Sequence, residues 1–331
     1  MIDMNRKIKT IDIAKKSGVS VTTVSRYFNH PELLSEKTIQ KIEYAIRETD
    51  YSQDPLAKAM VTGNSDLVGV ILPNLHETFF TEFLSQLELY SRKKHLHLLL
   101  HLSDSSAEEE RAWIKQLCAY RVRGIFLLSR YLPNEIAAHL PVPIVAIGRE
   151  SSEIKRINSD YFSGGLQSGQ LLLSNGCRAF AYFRGSQYTE YTPEYKQALG
   201  FEQAVKQYPY LHIEGCRWND PYSTEVRQEA EQRLEQLVTT FSGKKIGILC
   251  ADIMTANVLT AACIRCGIHI PSQLEIIGCG NPVRLYDAPL PVTTMEQDIP
   301  LMAQLAMEAL NDPLICERVV PVRMVRRETT S

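Results

Sequence analysis

The chain has 331 residues, of which 44% are hydrophobic, and its formal net charge is −2 at pH 7. This length is too great for a single small module and suits a small domain followed by one large or bilobed domain. The net charge excludes a protein that is basic overall, but residues 1–30 carry six Lys or Arg against two Asp, so phosphate attraction is expected at that end only.

No membrane span or secretion signal is recognisable in the sequence. No apolar run approaches the ~20 residues that cross a bilayer, and the polar start MIDMNRKIKT lacks the apolar core of a signal peptide. We therefore expect a cytoplasmic protein with no membrane partner. The eight cysteines are scattered, and the pair Cys263 and Cys266 has no second pair at matching spacing, so we expect free thiols and no metal site.

Residues 10–29, TIDIAKKSGVSVTTVSRYFN, predict two short helices joined by a tight turn. Gly18 permits the left-handed conformation that ends the first helix, and Ser20 is a good N-cap for a second helix from Val21 to Phe28. This pattern is typical of a helix-turn-helix, whose second helix enters the major groove of DNA. An ordinary helical hairpin is the alternative. The buried face of the first helix is expected to hold Ile11, Ile13 and Ala14.

A third helix and a short connecting segment follow. Ser35 can cap a helix in which isoleucines at positions 39, 42 and 46 recur at helical spacing. The next segment, residues 54–63, has Pro55 and Gly63 where a helix starts and ends. It is too short to form a stable helix alone, so it is either a linker or a helix that folds on a partner.

From Leu67 onward, strand and helix patterns alternate. Near-continuous apolar runs predict strands of a parallel sheet that is buried on both faces: Val68–Pro73, Leu96–Leu102, Gly124–Ser129, Pro143–Gly148, Phe180–Arg184, Ile246–Ala251 and Glu275–Gly278. The predicted helices between them are Thr78–Lys93, Ala107–Tyr120, Gly164–Ser174, Pro193–Tyr208, Thr224–Thr240 and Met254–Cys266. Two such sets predict an α/β chain with two doubly wound lobes, whose strand ends face each other across a cleft.

The run DIAKKSGVSVTTVSRYFN resembles the N-terminal signature of the lac repressor (LacI/GalR) family, and the order of elements keeps that resemblance to the end of the chain. The resemblance implies a helix-turn-helix domain at 1–53, a hinge helix at 54–65 and a core of periplasmic-binding-protein type at 66–331. It also implies crossings between the lobes. The first lobe would hold residues 66–160 and 296–318, and the second would hold residues 161–295 and 319–331.

The resemblance also implies how DNA is bound. The hinge helix would enter the minor groove with an apolar wedge, and Met60 stands where relatives usually have Leu. No heptad-bearing segment follows Arg326 in this sequence, so we expect a homodimer on a near-palindromic operator. The predicted DNA-binding residues are Thr10, Ser20, Val21, Thr22, Thr23, Ser25, Arg26, Asn29, Lys58 and Met60.

The expected effector cleft departs from the family pattern. Many relatives grip a ligand with Arg, Asn and Asp of the second lobe, but Gln197, Ala251 and Gly280 stand in those places here. Because such polar anchors carry much of the affinity, we expect no response to plain, unphosphorylated hexoses. The candidate ligand-binding residues are Phe80, Arg149, Asp160, Tyr161, Gln197, Trp218, Asp252 and Asn281.

No motif for catalysis is present. The sequence has no P-loop, G-x-S-x-G or H-E-x-x-H, so we predict no enzyme, cofactor or catalytic residue. The leading hypothesis is a sequence-specific transcriptional regulator, a repressor of carbohydrate-related genes, controlled by a small sugar or sugar derivative. The alternatives are a regulator whose degenerate cleft yields control to a protein partner or to no ligand, and a sugar-binding receptor with the same core fold.

Overall fold

In a computed structural model the chain divides into two compact units, Met1–Ser65 and Asp66–Ser331. The structure describes residues 8–51, 65–103, 106–129, 137, 139–151, 153–184, 192–214, 223–281, 290–312 and 314–331. The predictions made for the hinge helix, with Lys58 and Met60, and for Trp218 lie outside these residues, as does the side chain of Asn29.

The first unit contains three α-helices among its described residues: α1 (Thr10–Ser17), α2 (Val21–Asn29) and α3 (Glu36–Thr49). Gly18 ends α1 in the left-handed conformation, with φ of +69°. The Ser20 hydroxyl accepts the Thr23 N–H at 3.0 Å and so caps α2. The Ser35 hydroxyl caps α3 in the same way, at 3.4 Å from the Thr38 nitrogen. The turn chemistry predicted from the sequence is therefore confirmed.

A small apolar core joins these helices. Its buried members come from all three: Ile13, Ala14, Val24, Ile42 and Ala45. The prediction that Ile11 shares this face was wrong, because its side chain is 46% exposed. At 3.6 residues per turn, the side chains of residues i and i+2 point in directions about 200° apart around the helix axis. Ile11 therefore points away from the core that Ile13 enters.

The first sheet of the larger unit has six strands: β1 (Leu67–Leu72), β2 (His97–Leu102), β3 (Ile125–Leu127), β4 (Ile144–Ile147), β5 (Lys155–Ser159) and β11 (Glu317–Val320). The sheet is wholly parallel, with strand order β11-β5-β4-β3-β1-β2. Helices pack on both faces and bury apolar side chains there; they are α4 (Thr78–Lys93), α5 (Ala107–Ala119) and α10 (Ile299–Asn311). We call this sheet with its helices the first lobe.

The second sheet also has six strands: β6 (Ala179–Arg184), β7 (Tyr210–Glu214), β8 (Ile246–Cys250), β9 (Leu274–Cys279), β10 (Thr293–Gln297) and β12 (Val322–Val325). Its strand order is β12-β10-β9-β8-β6-β7, and it is parallel except for the antiparallel pair β10–β12. The helices of this second lobe are α6 (Tyr161–Ser174), α7 (Pro193–Val205), α8 (Thr224–Thr240) and α9 (Ile253–Arg265).

The chain passes between the two lobes after β5, after β10 and after β11. The expected lobe boundaries at 296 and 319 each fall about two residues early. Gln297 still pairs with Val322 in the second sheet, and Val320 still pairs with Ser159 in the first. Each crossing therefore sits where a strand ends, next to the carboxyl edge of a sheet, where ligands of such folds bind.

No helix in the described part of the chain is long and apolar enough to cross a membrane. No cluster of His, Cys, Asp and Glu among the described residues could hold a metal ion. The described cysteines are free thiols, and Cys177, Cys250, Cys263 and Cys279 are buried, where burial raises the pKa of each thiol.

Candidate nucleic-acid interface and effector cleft

Helix α2 has one exposed polar face and one buried apolar face. The side chain of Val21 is 45% exposed, and Thr22 and Arg26 are also exposed. Val24 is fully buried in the core of the first unit, where Phe28 packs against it. The exposed face is the one that a recognition helix presents to base edges. Base contacts by these residues stay a prediction.

The first turn of α2 is held by two hydroxyl side chains. Besides accepting the Thr23 N–H, the Ser20 hydroxyl lies 2.8 Å from the Thr23 hydroxyl. Both residues therefore have a structural task at the N-terminus of the helix, which their predicted DNA contacts would add to. Ser25 is half-buried and lies between the exposed positions Thr22 and Arg26 in sequence.

A hydrogen bond connects the start of α1 to Tyr51, which follows α3. The hydroxyls of Thr10 and Tyr51 lie 2.9 Å apart, and the Tyr51 ring packs against the ring of Phe28 with centroids 6.0 Å apart. The Thr10 hydroxyl, which is predicted to contact DNA, is thus already hydrogen-bonded to Tyr51. Through the Tyr51 ring this bond connects α1 to the end of α2.

The basic side chains of the first unit are exposed wherever the structure describes them. Lys9 and Lys15 face solvent, and Lys16 makes a 3.8 Å ion pair with Glu48 in which both side chains are 40% exposed or more. Such exposed pairs contribute little. The positive charge therefore remains available for phosphate groups, which supply the sequence-independent part of DNA affinity.

Arg149, a candidate ligand cation, is buried in the first lobe, and its contact with a ligand stays a prediction. Its residue is only 4% exposed, and one guanidinium nitrogen donates to the Ser129 carbonyl at 3.2 Å. The same nitrogen lies 4.0 Å from the carboxylate of Glu110, which is fully buried. The charge of Arg149 is thus largely compensated within the lobe.

Gln197 lies in α7 and is 1% exposed. Its Oε1 accepts the Tyr182 hydroxyl at 2.8 Å. Its side chain interacts with the Cys279 thiol and lowers the pKa of that thiol against the effect of burial, and its buried Nε2 has no hydrogen-bond partner within standard distance among the described residues. Gln197, Tyr182 and Cys279 therefore form a neutral polar group at the carboxyl edge of the second sheet.

Asp252 and Asp160, two candidate acids, each cap a helix. Both Asp252 oxygens accept from Thr255, at 2.7 Å from its N–H and 2.8 Å from its hydroxyl. Burial raises the pKa of Asp252, although these hydrogen bonds oppose the shift. Asp160 accepts the Ser163 N–H at 3.0 Å at the start of α6. Both carboxylates thus stabilise helix N-termini of the second lobe.

Tyr161 and Asn281 meet at the crossing strand β10. The Gln297 amide donates to the hydroxyls of Tyr161 and Ser159, at 2.8 and 3.0 Å. Asn281 exchanges two hydrogen bonds with the Gln297 backbone, at 2.9 and 3.0 Å. Phe80 is 3% exposed and belongs to the apolar core of the first lobe. The structure thus brings Tyr161 and Asn281 together and leaves Phe80 in a packing role.

Sequence reasoning missed Glu150, Lys196 and Glu82, which connect the two lobes. Glu150 of the first lobe pairs with Lys196 of the second at 2.9 Å. Glu82 on α4 hydrogen-bonds the side chain of Asn281; burial raises the pKa of Glu82, and this bond opposes the shift. The partners are far apart in sequence, so no local pattern could have indicated either contact.

Comparison with known proteins identifies the family. Residues 9–54 match the lacI family of bacterial regulatory proteins, and residues 170–330 match the periplasmic binding protein-like domain. The sucrose operon repressor of Streptococcus mutans is 30% identical over 303 residues, which is 91% of each chain. The chain belongs to the lacI family of bacterial regulatory proteins.

Other relatives of this lacI-family chain agree with that assignment. The ribose operon repressor of Halalkalibacterium halodurans is 27% identical over 328 residues, or 96% of each chain. The crystal structure of a lac repressor dimer, bound to operator and an anti-inducer, matches 98% of this chain and 99% of its own with a TM-score of 0.84; at 21% identity it shows the fold alone. The predicted fold class is confirmed, and the chain is a DNA-binding transcriptional regulator.

Proposed function

We propose that this lacI-family protein is a cytoplasmic, homodimeric repressor of carbohydrate-related genes that binds a near-palindromic operator. Residues 1–53 would read DNA, residues 54–65 would form the hinge, and residues 66–331 would dimerise and bind the effector. Its relatives in Streptococcus mutans and Halalkalibacterium halodurans are operon repressors, which supports repression over activation. It needs no cofactor and carries out no reaction in this role.

The observation that carries the proposal is the capped helix α2. Ser20 and Thr23 fix its first turn, Val24 anchors it to a buried core, and Thr22 and Arg26 project from the opposite face. One such helix contacts too few base pairs for gene-level specificity, so two copies on a two-fold symmetric site are expected. The DNA-binding unit also favours a regulator over a sugar-binding receptor.

The test is selection of duplexes from a random pool by the full-length protein, followed by sedimentation of the selected complex. The proposal predicts a near-palindromic consensus with half-sites about one helical turn apart, bound by two chains. Selection of no consensus, or binding of one chain to an asymmetric site, would contradict it.

The proposed effector is a sugar or sugar derivative in the cleft between the lobes. Four buried side-chain polar atoms have no hydrogen-bond partner among the described residues. Ser103 Oγ and Ser129 Oγ lie just beyond the ends of sheet strands, Gln197 Nε2 lies in α7 and Asn257 Oδ1 lies in α9. Such atoms are costly unless a ligand or water meets them. They support a ligand that is rich in hydroxyl groups.

Operator release is the readout for the effector. A mobility-shift assay would compare sucrose, ribose, glucose, galactose and the phosphates of these sugars. We expect a sugar or sugar derivative to release the operator, and we expect glucose and galactose at millimolar concentration not to. Release by a plain hexose would show that replacing the usual anchors at Gln197, Ala251 and Gly280 does not matter.

A second candidate is a regulator that is controlled by a protein partner or by no ligand. Two observations favour it: Glu110 compensates Arg149, and Thr255 occupies both oxygens of Asp252. Calorimetry of the full-length protein separates the candidates. A heat of binding with any sugar of the panel supports the effector. The absence of a binding heat with every sugar, together with intact operator binding, supports the second candidate.

A further inference from the structure

We propose that Glu150 and Lys196 form a releasable latch between the two lobes, and that this latch sets the operator affinity of the protein when no ligand is bound. Glu150 follows β4 in the first lobe, and Lys196 lies in the first turn of α7 in the second. The Lys196 Nζ and the Glu150 Oε2 are 2.9 Å apart. The proposal rests on the proposed function, because it assumes that lobe arrangement and DNA affinity are coupled.

The lobes touch at the same place. A Cβ added to Gly148, two residues before Glu150, would lie 3.9 Å from the Pro193 ring and 3.9 Å from the Tyr161 hydroxyl. These are ordinary contact distances, and Pro193 begins the helix that carries Lys196. The ion pair therefore lies at the edge of a closed contact between the lobes and is not an isolated surface pair.

Glu150 is held in place by its own lobe. The Asn158 amide donates to the Glu150 Oε1 and to the Arg149 carbonyl, both at 3.1 Å, and accepts the Arg149 N–H at 3.0 Å. Asn158 is only 3% exposed. The Arg156 Nε lies 4.0 Å from the other Glu150 oxygen. If the lobes part, the Glu150 carboxylate therefore keeps its hydrogen bond from Asn158 and lies near Arg156, whose closer partner is Glu317 at 2.8 Å.

Lys196 has no comparable support. In the described part of the chain its ammonium group has Glu150 as its one ion-pair or hydrogen-bond partner. Its side chain is 45% exposed, whereas that of Glu150 is 18% exposed. Parting the lobes therefore releases Lys196 into water, where an ammonium is well solvated, and leaves no uncompensated charge in the first lobe.

This asymmetry makes the latch weak enough to open reversibly. A partly exposed ion pair changes an equilibrium by a factor of about five at most. Hinged lobes of this type respond to ligands by changing their closure, and a ligand shifts the balance only through its different affinity for the two arrangements. A latch of this size biases the ligand-free balance without preventing a ligand from overcoming it.

The experiment compares Lys196→Met, Glu150→Gln, the double neutral variant and the charge-preserving Lys196→Arg in the full-length protein. The matched controls are Lys206→Met, at the exposed C-terminal end of the same helix, and Glu153→Gln, exposed in the same loop as Glu150. Amide hydrogen exchange of residues 194–205 reports on the latch, since Pro193 has no amide hydrogen. Operator affinity is measured separately on the duplex selected by the wild-type protein.

Each single neutral variant is expected to raise amide exchange in the first turn of α7. Each is also expected to change ligand-free operator affinity by a factor of up to about five, and the two variants should change it in the same direction and by the same factor. The double neutral variant should do no more than either single variant, because each substitution alone removes the ion pair, and Lys196→Arg should leave both readouts close to those of the wild type. Thermal unfolding confirms that each variant is folded.

Exchange in the single variants that matches the controls would overturn the latch. Altered exchange with unchanged operator affinity would overturn its regulatory role. Failure of the wild-type protein to select any operator would contradict the proposed function instead, and this outcome is recognised without reference to the exchange data.

Discussion

Replacing Gly165 in α6 by alanine should force α6 and α7 apart. The two helices approach so closely that a Cβ on Gly165 would lie 2.0 Å from the Gln197 carbonyl oxygen, and one on Gly200 would lie 2.0 Å from the Phe162 carbonyl oxygen. Ordinary contact begins at 3.4 Å, so the backbones must separate by about 1.4 Å at this point. Because the obstacle is helical backbone, no side-chain rotation can relieve it.

Two opposing terms set the size of the effect. Alanine is better than glycine in a helix interior by about 1 kcal/mol, whereas overpacking costs about 1–3 kcal/mol or more. A backbone clash of this depth lies at the upper end, so Gly165→Ala should lower the free energy of unfolding by about 2 kcal/mol. The control is Gln170→Ala, at an exposed position on the same helix, which should stay within about 0.5 kcal/mol of wild type.

Urea unfolding followed by tryptophan fluorescence measures this effect. Both tryptophans, Trp113 and Trp218, belong to the larger unit, so the signal reports on that unit and not on the helix-turn-helix. A midpoint for Gly165→Ala at or above that of the Gln170→Ala control would show that the helices have room to separate. The close-packing argument for α6 and α7 would then be wrong.

Three further predictions concern other parts of the chain. Ser20→Ala removes the cap of α2, so it should lower the free energy of unfolding of the small unit by about 1 kcal/mol and weaken operator binding. Ser35→Ala removes the cap of α3, so it should lower thermal stability with little effect on the preference for operator over random DNA. Equal losses of this preference in the two variants would contradict the prediction. Burial alone would raise the pKa of Glu296, but hydrogen bonds, led by the one from Arg327, lower this pKa below the ordinary value of 4.5. The ionised Glu296 therefore stabilises the fold above pH 4.5, and this stabilisation is lost as the pH falls through the lowered pKa. Glu296→Gln should therefore lose about 1.5–3 kcal/mol at neutral pH and show a flatter decline of the melting temperature below pH 4.5, and an unchanged acid profile would refute this. Met60→Ala should weaken operator binding and reduce DNA bending in a gel-mobility assay, and unaltered bending would remove Met60 as the minor-groove wedge.

Helices with strong periodicity were predicted to the residue. Thr78–Lys93 and Thr224–Thr240 have the bounds expected from their apolar spacing. Strand β5, Lys155–Ser159, was missed because KRINS has no apolar run. Its lysine is accommodated by the fold, since the Lys155 Nζ donates to the carbonyls of Ala309 and Asp312 at the end of α10. Only the tertiary structure supplies those carbonyls, so propensity alone could not place this strand.

The helix-turn-helix could be predicted in detail because its chemistry is local. Gly18 and Ser20 act within three or four residues of their own positions. The cleft could not be predicted in the same way. Whether Arg149 is a free cation depends on Glu110, a residue 39 positions earlier on helix α5. The contact of Glu150 with Lys196 exists only because two lobes meet.

The central claim is that α2 reads bases while the surrounding charges hold phosphate. Fluorescence anisotropy of wild type, Thr22→Ala, Arg26→Ala and Lys9→Ala, on the selected operator and on random duplex over a range of salt, tests it most directly. The account predicts that Arg26→Ala and Thr22→Ala weaken operator binding by about 1–3 kcal/mol with little effect on random DNA, whereas Lys9→Ala weakens both alike and lowers the salt slope by about 1. Equal losses on operator and random DNA for Arg26→Ala and Thr22→Ala would contradict it.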